Sequence, residues 1–272
     1  MNTAKFTAVL VCLSSAACTA NFAPPEGTSA GGDLSTSSEP GDWSCLAEGA
    51  TLPPSHPVSL GPSRSLAVHA VEAYSFAGVK GLTVRACDAA DTACATPLAS
   101  ADADASGAAT LTLSGTAPTF DGYLAIVGTG MPANLVFLDG RSPTEDGTYV
   151  VEVYTEAALV LTASFAGVLP DPARAMVRVD ARDCSGAPAA GVGIGLSTSD
   201  TDTRTVYLSG DGRPASSDAA TTDAAGIAFA FGVQVEGLGV REAVGPSAVG
   251  GGFAFGGAGA VTSVVALPWS PR

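Results

Sequence analysis

Twice along this chain an Asp-x-x-Gly turn runs straight into a strand of alternating polarity. The first is Asp104-Ala105-Ser106-Gly107, followed by Ala108-Ala109-Thr110-Leu111-Thr112-Leu113. The second is Thr222-Asp223-Ala224-Ala225-Gly226, followed by Ile227-Ala228-Phe229-Ala230-Phe231. An aspartate at the head of a turn accepts a backbone N–H two residues on, and glycine supplies the positive φ that closes it. Period-two alternation then puts Leu111 and Leu113, or Ile227, Phe229 and Phe231, on one buried face. Many short strands separated by Gly, Pro and Asp turns imply β-sandwiches.

The segments before the two turns extend the repeat. In the first half, Leu82-Thr83-Val84-Arg85-Ala86-Cys87-Asp88 reads as a strand, followed by a proline and then the turn. In the second half, Met176-Val177-Arg178-Val179-Asp180-Ala181 runs into Asp183-Cys184-Ser185-Gly186-Ala187-Pro188-Ala189-Ala190-Gly191-Val192. Each copy therefore reads strand, polar loop, second strand, Asp-x-x-Gly turn, third strand. Leading from Arg174 to Pro268, the order of Asp183, Cys184, Gly186, Pro188, Gly191, Val192, Thr222, Asp223 and Gly226 resembles the carboxypeptidase regulatory-like domain. The resemblance implies an Ig-like, transthyretin-like sandwich related to Cna-B modules. The first half matches more loosely. Its Trp43-Ser44-Cys45-Leu46 start and its Phe120–Ile126 strand are similar to uncharacterised Gram-negative lipoproteins with two such modules. The motif marks turns and core, and implies no catalytic residue.

The expected architecture is all-β, with two Ig-like/transthyretin-like β-sandwiches in tandem after a disordered N-terminal tether. The boundaries are 1–17 for a leader, 18–42 for a tether, 43–154 and 173–272 for the two sandwiches, and 155–172 for a linker. Within that linker, Thr155 can cap a helix, Glu156 suits its first turn, and Gly167 and Pro170 would stop it. Ala158, Leu159, Leu161, Thr162 and Phe165 would form its apolar side. A further strand over 158–163 is the alternative. At the C-terminus, the uncharged stretch 243–271 is broken by Gly250-Gly251-Gly252, Gly256-Gly257 and prolines. It reads as two strands, around 252–255 and 261–265, rather than a membrane span.

The first seventeen residues carry a single charge, Lys5, ahead of an uncharged run of twelve, Phe6–Ala17. A positive start, a short apolar region and a small-residue exit mark a secretory signal. The run is too short to span a bilayer, which takes about 20 apolar residues. Leu13-Ser14-Ser15-Ala16-Ala17-Cys18 resembles a lipoprotein lipobox, which implies lipid attachment at Cys18. Ser15 departs from that pattern, where an aliphatic residue is usual, and ordinary cleavage near Ala17 or Ala20 is the alternative. Thr19, in place of an aspartate, points by the same resemblance to the outer membrane of a Gram-negative envelope, on a face the sequence does not assign. Buried acyl methylenes contribute about 0.8 kcal/mol each, so several chains make such an anchor stable. Thr19–Asp42 is rich in Pro, Gly, Ser, Thr and Ala and too poor in large apolar groups to offset its ordering entropy. As a flexible chain its 24 residues span roughly 25–30 Å.

Without Lys5, 11 of the 12 basic residues face all 26 acidic ones, a formal charge of −15. That balance excludes nucleic acid as a partner, because phosphate neutralisation carries such binding. It also argues against charge-driven adhesion to anionic membranes. Beyond Cys18 the exported chain holds Cys45, Cys87, Cys94 and Cys184. Export permits disulfides, and four cysteines allow three pairings. The pair Cys87 and Cys94 would clamp the polar loop between them, worth roughly 2.5 kcal/mol in the chain-entropy estimate. Cys45 with Cys184 would then cross-link the two modules; a small buried apolar role is the other reading for Cys184.

Metal and catalytic sets are poorly supported. The Cys87–Cys94 spacing has no histidine nearby for zinc, and His56 and His69 are the only histidines. The segment Asp102-Ala103-Asp104-Ala105-Ser106-Gly107 has the look of a small calcium loop without the later bidentate acid. No Gly-x-Ser-x-Gly elbow, paired-histidine motif or P-loop occurs. The stretch 191–195 is glycine-rich but opens no helix, so a dinucleotide site is not expected. An isopeptide would need a lysine, and Lys80 has only Asn134 as a mate. The expected role is non-enzymatic, without cofactor: an envelope lipoprotein with a structural or binding function. Its partners would be the membrane through the Cys18 lipid and an envelope protein or glycan. An accessory domain pair serving a hydrolase in another chain and a calcium-dependent carbohydrate-binding module are the alternatives.

Overall fold

The computed structural model describes residues 41–43, 45, 57–114, 118–139, 141–210, 213, 219–235, 237–244 and 247–268. All of them belong to one compact unit, Ser38–Arg272. The leader, Cys18, the tether as far as residue 40, His56 and Trp269 lie outside the described residues.

The first half contributes β1 (Val58–Ser59), β2 (Ser65–Glu72), β3 (Leu82–Asp88), β4 (Ala99–Asp102), β5 (Ala108–Thr112), β6 (Thr119–Phe120), β7 (Gly122–Gly128), β8 (Asn134–Phe137) and β9 (Thr148–Val153). A helix, α1 (Glu156–Ala166), follows. The second half contributes β10 (Ala175–Ala181), β11 (Gly193–Leu196), β12 (Arg204–Leu208), β13 (Ile227–Val233), β14 (Gly237–Val244), β15 (Ser247–Phe255) and β16 (Val261–Pro268). The fold is all-β with sandwich packing, as the turn and strand pattern predicts.

The two halves repeat one topology. In the first, β2 pairs antiparallel with β5 and parallel with β9, and β3-β7-β8 forms an antiparallel ladder facing them. In the second, β10 pairs antiparallel with β13 and parallel with β16, and β11-β14-β15 forms the matching ladder. The repeat reaches individual atoms. Ala70 N donates to Gly107 O at 2.9 Å, and Ala181 N to Gly226 O at 2.8 Å. Asp104 Oδ1 accepts from Ser106 N, and Asp223 Oδ1 from Ala225 N, both at 2.8 Å. Gly107 and Gly226 have φ of +87° and +68°, and a Cβ on them would lie 2.3 Å from Ala70 O of β2 and 2.6 Å from Ala181 O of β10. These two turns therefore demand glycine for backbone and for space.

One equivalence read from the sequence is corrected by this topology. The counterpart of Met176–Ala181 is β2, Ser65–Glu72, and not β3, Leu82–Asp88, which belongs to the facing ladder. The segment Ser65-Leu66-Ala67-Val68-His69-Ala70 has no charge pattern resembling Arg178 and Asp180, so local similarity favoured the wrong strand.

The halves do not stand as separate beads. Strand β8 of the first pairs in parallel with β16 of the second, Asn134 to Val261 through Val136 to Ser263. Since β16 also pairs with β10, one sheet runs β4-β3-β7-β8-β16-β10-β13-β12 through both halves. The β5-β2-β9 sheet covers one face of its first-half strands around Val84, Leu124, Ile126 and Val136. The β11-β14-β15 ladder closes on the opposite face, where residues of both halves share a core. Strands 7, 8 and 10 are covered on both faces and are apolar apart from the buried Asn134, Arg178 and Asp180, as doubly buried strands largely are. Phe255 of β15 packs edge-on against Tyr123 and Phe137, with centroids 4.7 and 5.2 Å apart, and so joins the halves.

Helix α1 sits where the caps place it. Thr155 accepts from Ala158 N, and Gly167 closes the helix at φ +66°. Its inward side is Ala158, Leu159, Thr162, Ala163 and Ala166, packed with Phe229, Phe231 and Leu208 over the second half of the long sheet. Leu161 and Phe165, expected on the buried side, lie on the exposed one. The alanines let the helix approach the bulky Phe229 and Phe231, which already fill that layer.

Candidate functional site

The N-terminal end of the body is fastened to the second half, not the first. Asp42 N donates to Asp183 Oδ2 at 2.9 Å, and Cys184 N donates to Asp42 O at 2.8 Å. Cys45 is bonded to Cys184 across 139 residues, with Cα atoms 5.6 Å apart. Trp43 packs against the core that both halves share. Asp183 therefore does two jobs. Its Oδ1 organises its own turn through Ser185 and Ala187, and its Oδ2 holds Asp42. Cys87 is bonded to Cys94, Cα atoms 5.3 Å apart, around a loop whose Asp91 carbonyl accepts from Tyr123 Oη at 2.7 Å. Cys18 lies outside the described residues.

A buried charged cluster locks the junction. The Arg178 guanidinium on β10 lies against Asp180 at 2.9 Å, against Glu152 of β9, and 3.3 Å from Tyr154 Oη. Arg141, after β8, reaches Asp180 Oδ2 at 3.1 Å and donates to Phe137 O. Burial by itself would push Asp180 up, but Arg178 and Arg141 outweigh it and hold the carboxyl below its usual range. Burial pushes Tyr154 up to about 12, so its hydroxyl stays protonated while it accepts from Arg178 Nη1. Two cations face two carboxylates, so these four side chains together are neutral. It fastens strands from both halves.

Asn134, considered in the sequence only as a mate for Lys80, is engaged at the same junction. Its Nδ2 donates to Pro132 O and Tyr154 O, and its Oδ1 accepts from Tyr154 N at 2.7 Å. It thereby ties the start of β8 to the end of β9. In the candidate calcium loop, Asp104 Oδ1 is occupied by Ser106 N, Ser106 Oγ and Ala108 N. His69 Nε2 lies 2.9 Å from Ser106 O.

Sequence reasoning missed one group altogether. Glu242 on β14 is fully buried, and neither carboxyl oxygen has a hydrogen-bond partner among the described residues. Burial pushes its pKa up to about 9. A Cβ on Gly250, its cross-strand neighbour, would lie 2.2 Å from Glu242 Oε2 and 2.4 Å from Leu267 O. The Gly250-Gly251-Gly252 run and the charge within an apolar strand were the signals. Only the pairing register connects them.

No family model and no curated protein matches this chain. Among solved structures, similarity is found to the shaft pilin SpaA of Lactobacillus rhamnosus GG (D295N mutant), at 13% identity over 77% of this chain and 99% of that one, TM-score 0.25. A Streptococcal ancillary pilin aligns at 16% identity over 75% of this chain and 69% of that one, TM-score 0.20. A family 26 carbohydrate-binding module of Eubacterium rectale Amy13K, solved with maltoheptaose, aligns at 10% identity over 75% and 93%, TM-score 0.25. Scores at this level carry no conclusion about shared fold or function.

Proposed function

We propose that this protein is a non-enzymatic envelope lipoprotein, held by a lipid on Cys18 at the outer membrane, whose body serves as a rigid structural or binding element. The observation that supports this reading is the fastening of Asp42 and Cys45 to the Asp183-Cys184 turn, which secures the entering chain covalently to a body continuous across both halves. A tether that ends in a disulfide transmits position to the body without loosening a strand. The sandwiches are assigned to the carboxypeptidase regulatory-like kind, on the Asp-x-x-Gly turn whose aspartate cap and closing glycine recur in both. Among the described residues no helix is long and apolar enough to cross a membrane; the Cys18 lipid is proposed as the attachment on the lipobox-like segment Leu13–Cys18. Metabolic labelling with an alkyne analogue of palmitate tests the anchor. Wild type takes up label in the membrane fraction and Cys18→Ser does not; an unlabelled wild type refutes the lipoprotein assignment.

A further inference from the structure

The outward face of the β11-β14-β15 sheet is bare for no reason the fold supplies. Ile194, Leu196, Leu238 and Val240 are buried in the core, so strand alternation turns Gly195, Gly239 and Arg241 outward. The register sets Gly195 opposite Arg241 and Gly239 opposite Phe253. Gly195 has no positive φ, and a Cβ there would meet nothing within 4 Å. A Cβ on Gly239 would make only ordinary contacts, the nearest 3.4 Å to Ser197 Oγ. Glycine inside a strand weakens it, so neither packing nor backbone explains these two. Beside them, Phe253 is 66% exposed in mid-strand. Arg241 is exposed and makes no hydrogen bond or ion pair among the described residues, in a chain of net charge −14. With Ser197 these residues line a groove of about 510 Å3.

We propose that this groove binds a neutral pyranose unit of a polysaccharide. The apolar C–H face of the sugar stacks on the Phe253 ring. The bare backbone at Gly195 and Gly239 lets the ring lie flat, and the Arg241 fork donates to adjacent hydroxyls. No carboxylate lines the groove, so it offers nothing to a cation, and the overall negative charge disfavours polyanions. The inference rests on the proposed non-enzymatic role and refines its binding half.

The full chain carrying Cys18→Ser, titrated calorimetrically with malto-, cello- and chito-hexaose, tests it. At least one of the three binds, and Phe253→Ala and Gly195→Thr each weaken that binding tenfold or more. Gly195→Thr leaves the melting temperature unchanged or raised, which separates a filled groove from a damaged fold. Binding to none of the three, or binding undiminished in both variants, overturns the groove. Recovery of a shortened sugar after binding would support the groove and overturn the non-enzymatic role, so the two failures read differently.

Discussion

Glu242 gives the molecule a pH dependence of definite sign. The folded chain keeps a proton on this carboxyl up to about pH 9, whereas the unfolded chain releases it near 4.5. Below 4.5 both states are neutral and the group is without effect. Between the two values folding takes up a proton, so stability falls by roughly 1.4 kcal/mol per pH unit from this group, and levels off above the folded value. Glu242→Gln is expected to gain on wild type progressively from about pH 5 to 8.5, measured by urea unfolding; a constant offset over that range contradicts the assignment. Arg178→Met leaves Asp180 and Glu152 without their main cation and is expected to cost about 3–5 kcal/mol in the same assay. Neither residue could be valued from the sequence. A charge inside an apolar strand is visible there, but its partners come from β9, from the segment after β8 and from its own strand, and only packing brings them together.

Individual elements were legible where one residue type has one local use. The Asp-x-x-Gly turns, the strands after them, and the cap and stop of α1 follow from short-range chemistry and occur where the chain reads them. Thr155→Ala is expected to cost about 1 kcal/mol, seen as a lowered melting temperature with unchanged strand content by circular dichroism. The first-strand equivalence failed because β2 and β10 share pairing geometry without sharing side chains. The buried side of α1 failed for a related reason. Helical periodicity offers Leu161 and Phe165, but Phe229 and Phe231 beneath admit alanines. At the seam between elements, Asn134→Ala strips the Tyr154 backbone of two bonds and is expected to cost about 1–3 kcal/mol by urea unfolding.

The whole described body is one sheet-spanning unit, and its unfolding is expected to be a single transition by calorimetry; two resolved transitions would show that the β8–β16 pairing does not couple the halves. Replacing Cys45 and Cys184 by serine releases a 139-residue loop and is expected to cost about 4–5 kcal/mol in the chain-entropy account. The same change at Cys87 and Cys94, separated by 7 residues, is expected to cost about half as much. Comparing the two double variants by denaturant unfolding checks the order. The candidate anchor belongs to the sequence alone, since Cys18 lies outside the described residues.

By itself the sequence determined the class of fold, because turns and alternating strands depend on neighbours within a few residues. It also carried a faint internal repeat, in the two Asp-x-x-Gly turns that each lead into an alternating strand. Tertiary structure alone decided that the two halves share a sheet, that the entering chain is clasped to the second half, and that Glu242 is sealed in the interior. Each of these depends on contacts between residues far apart in the chain, and on a strand register that no local pattern encodes.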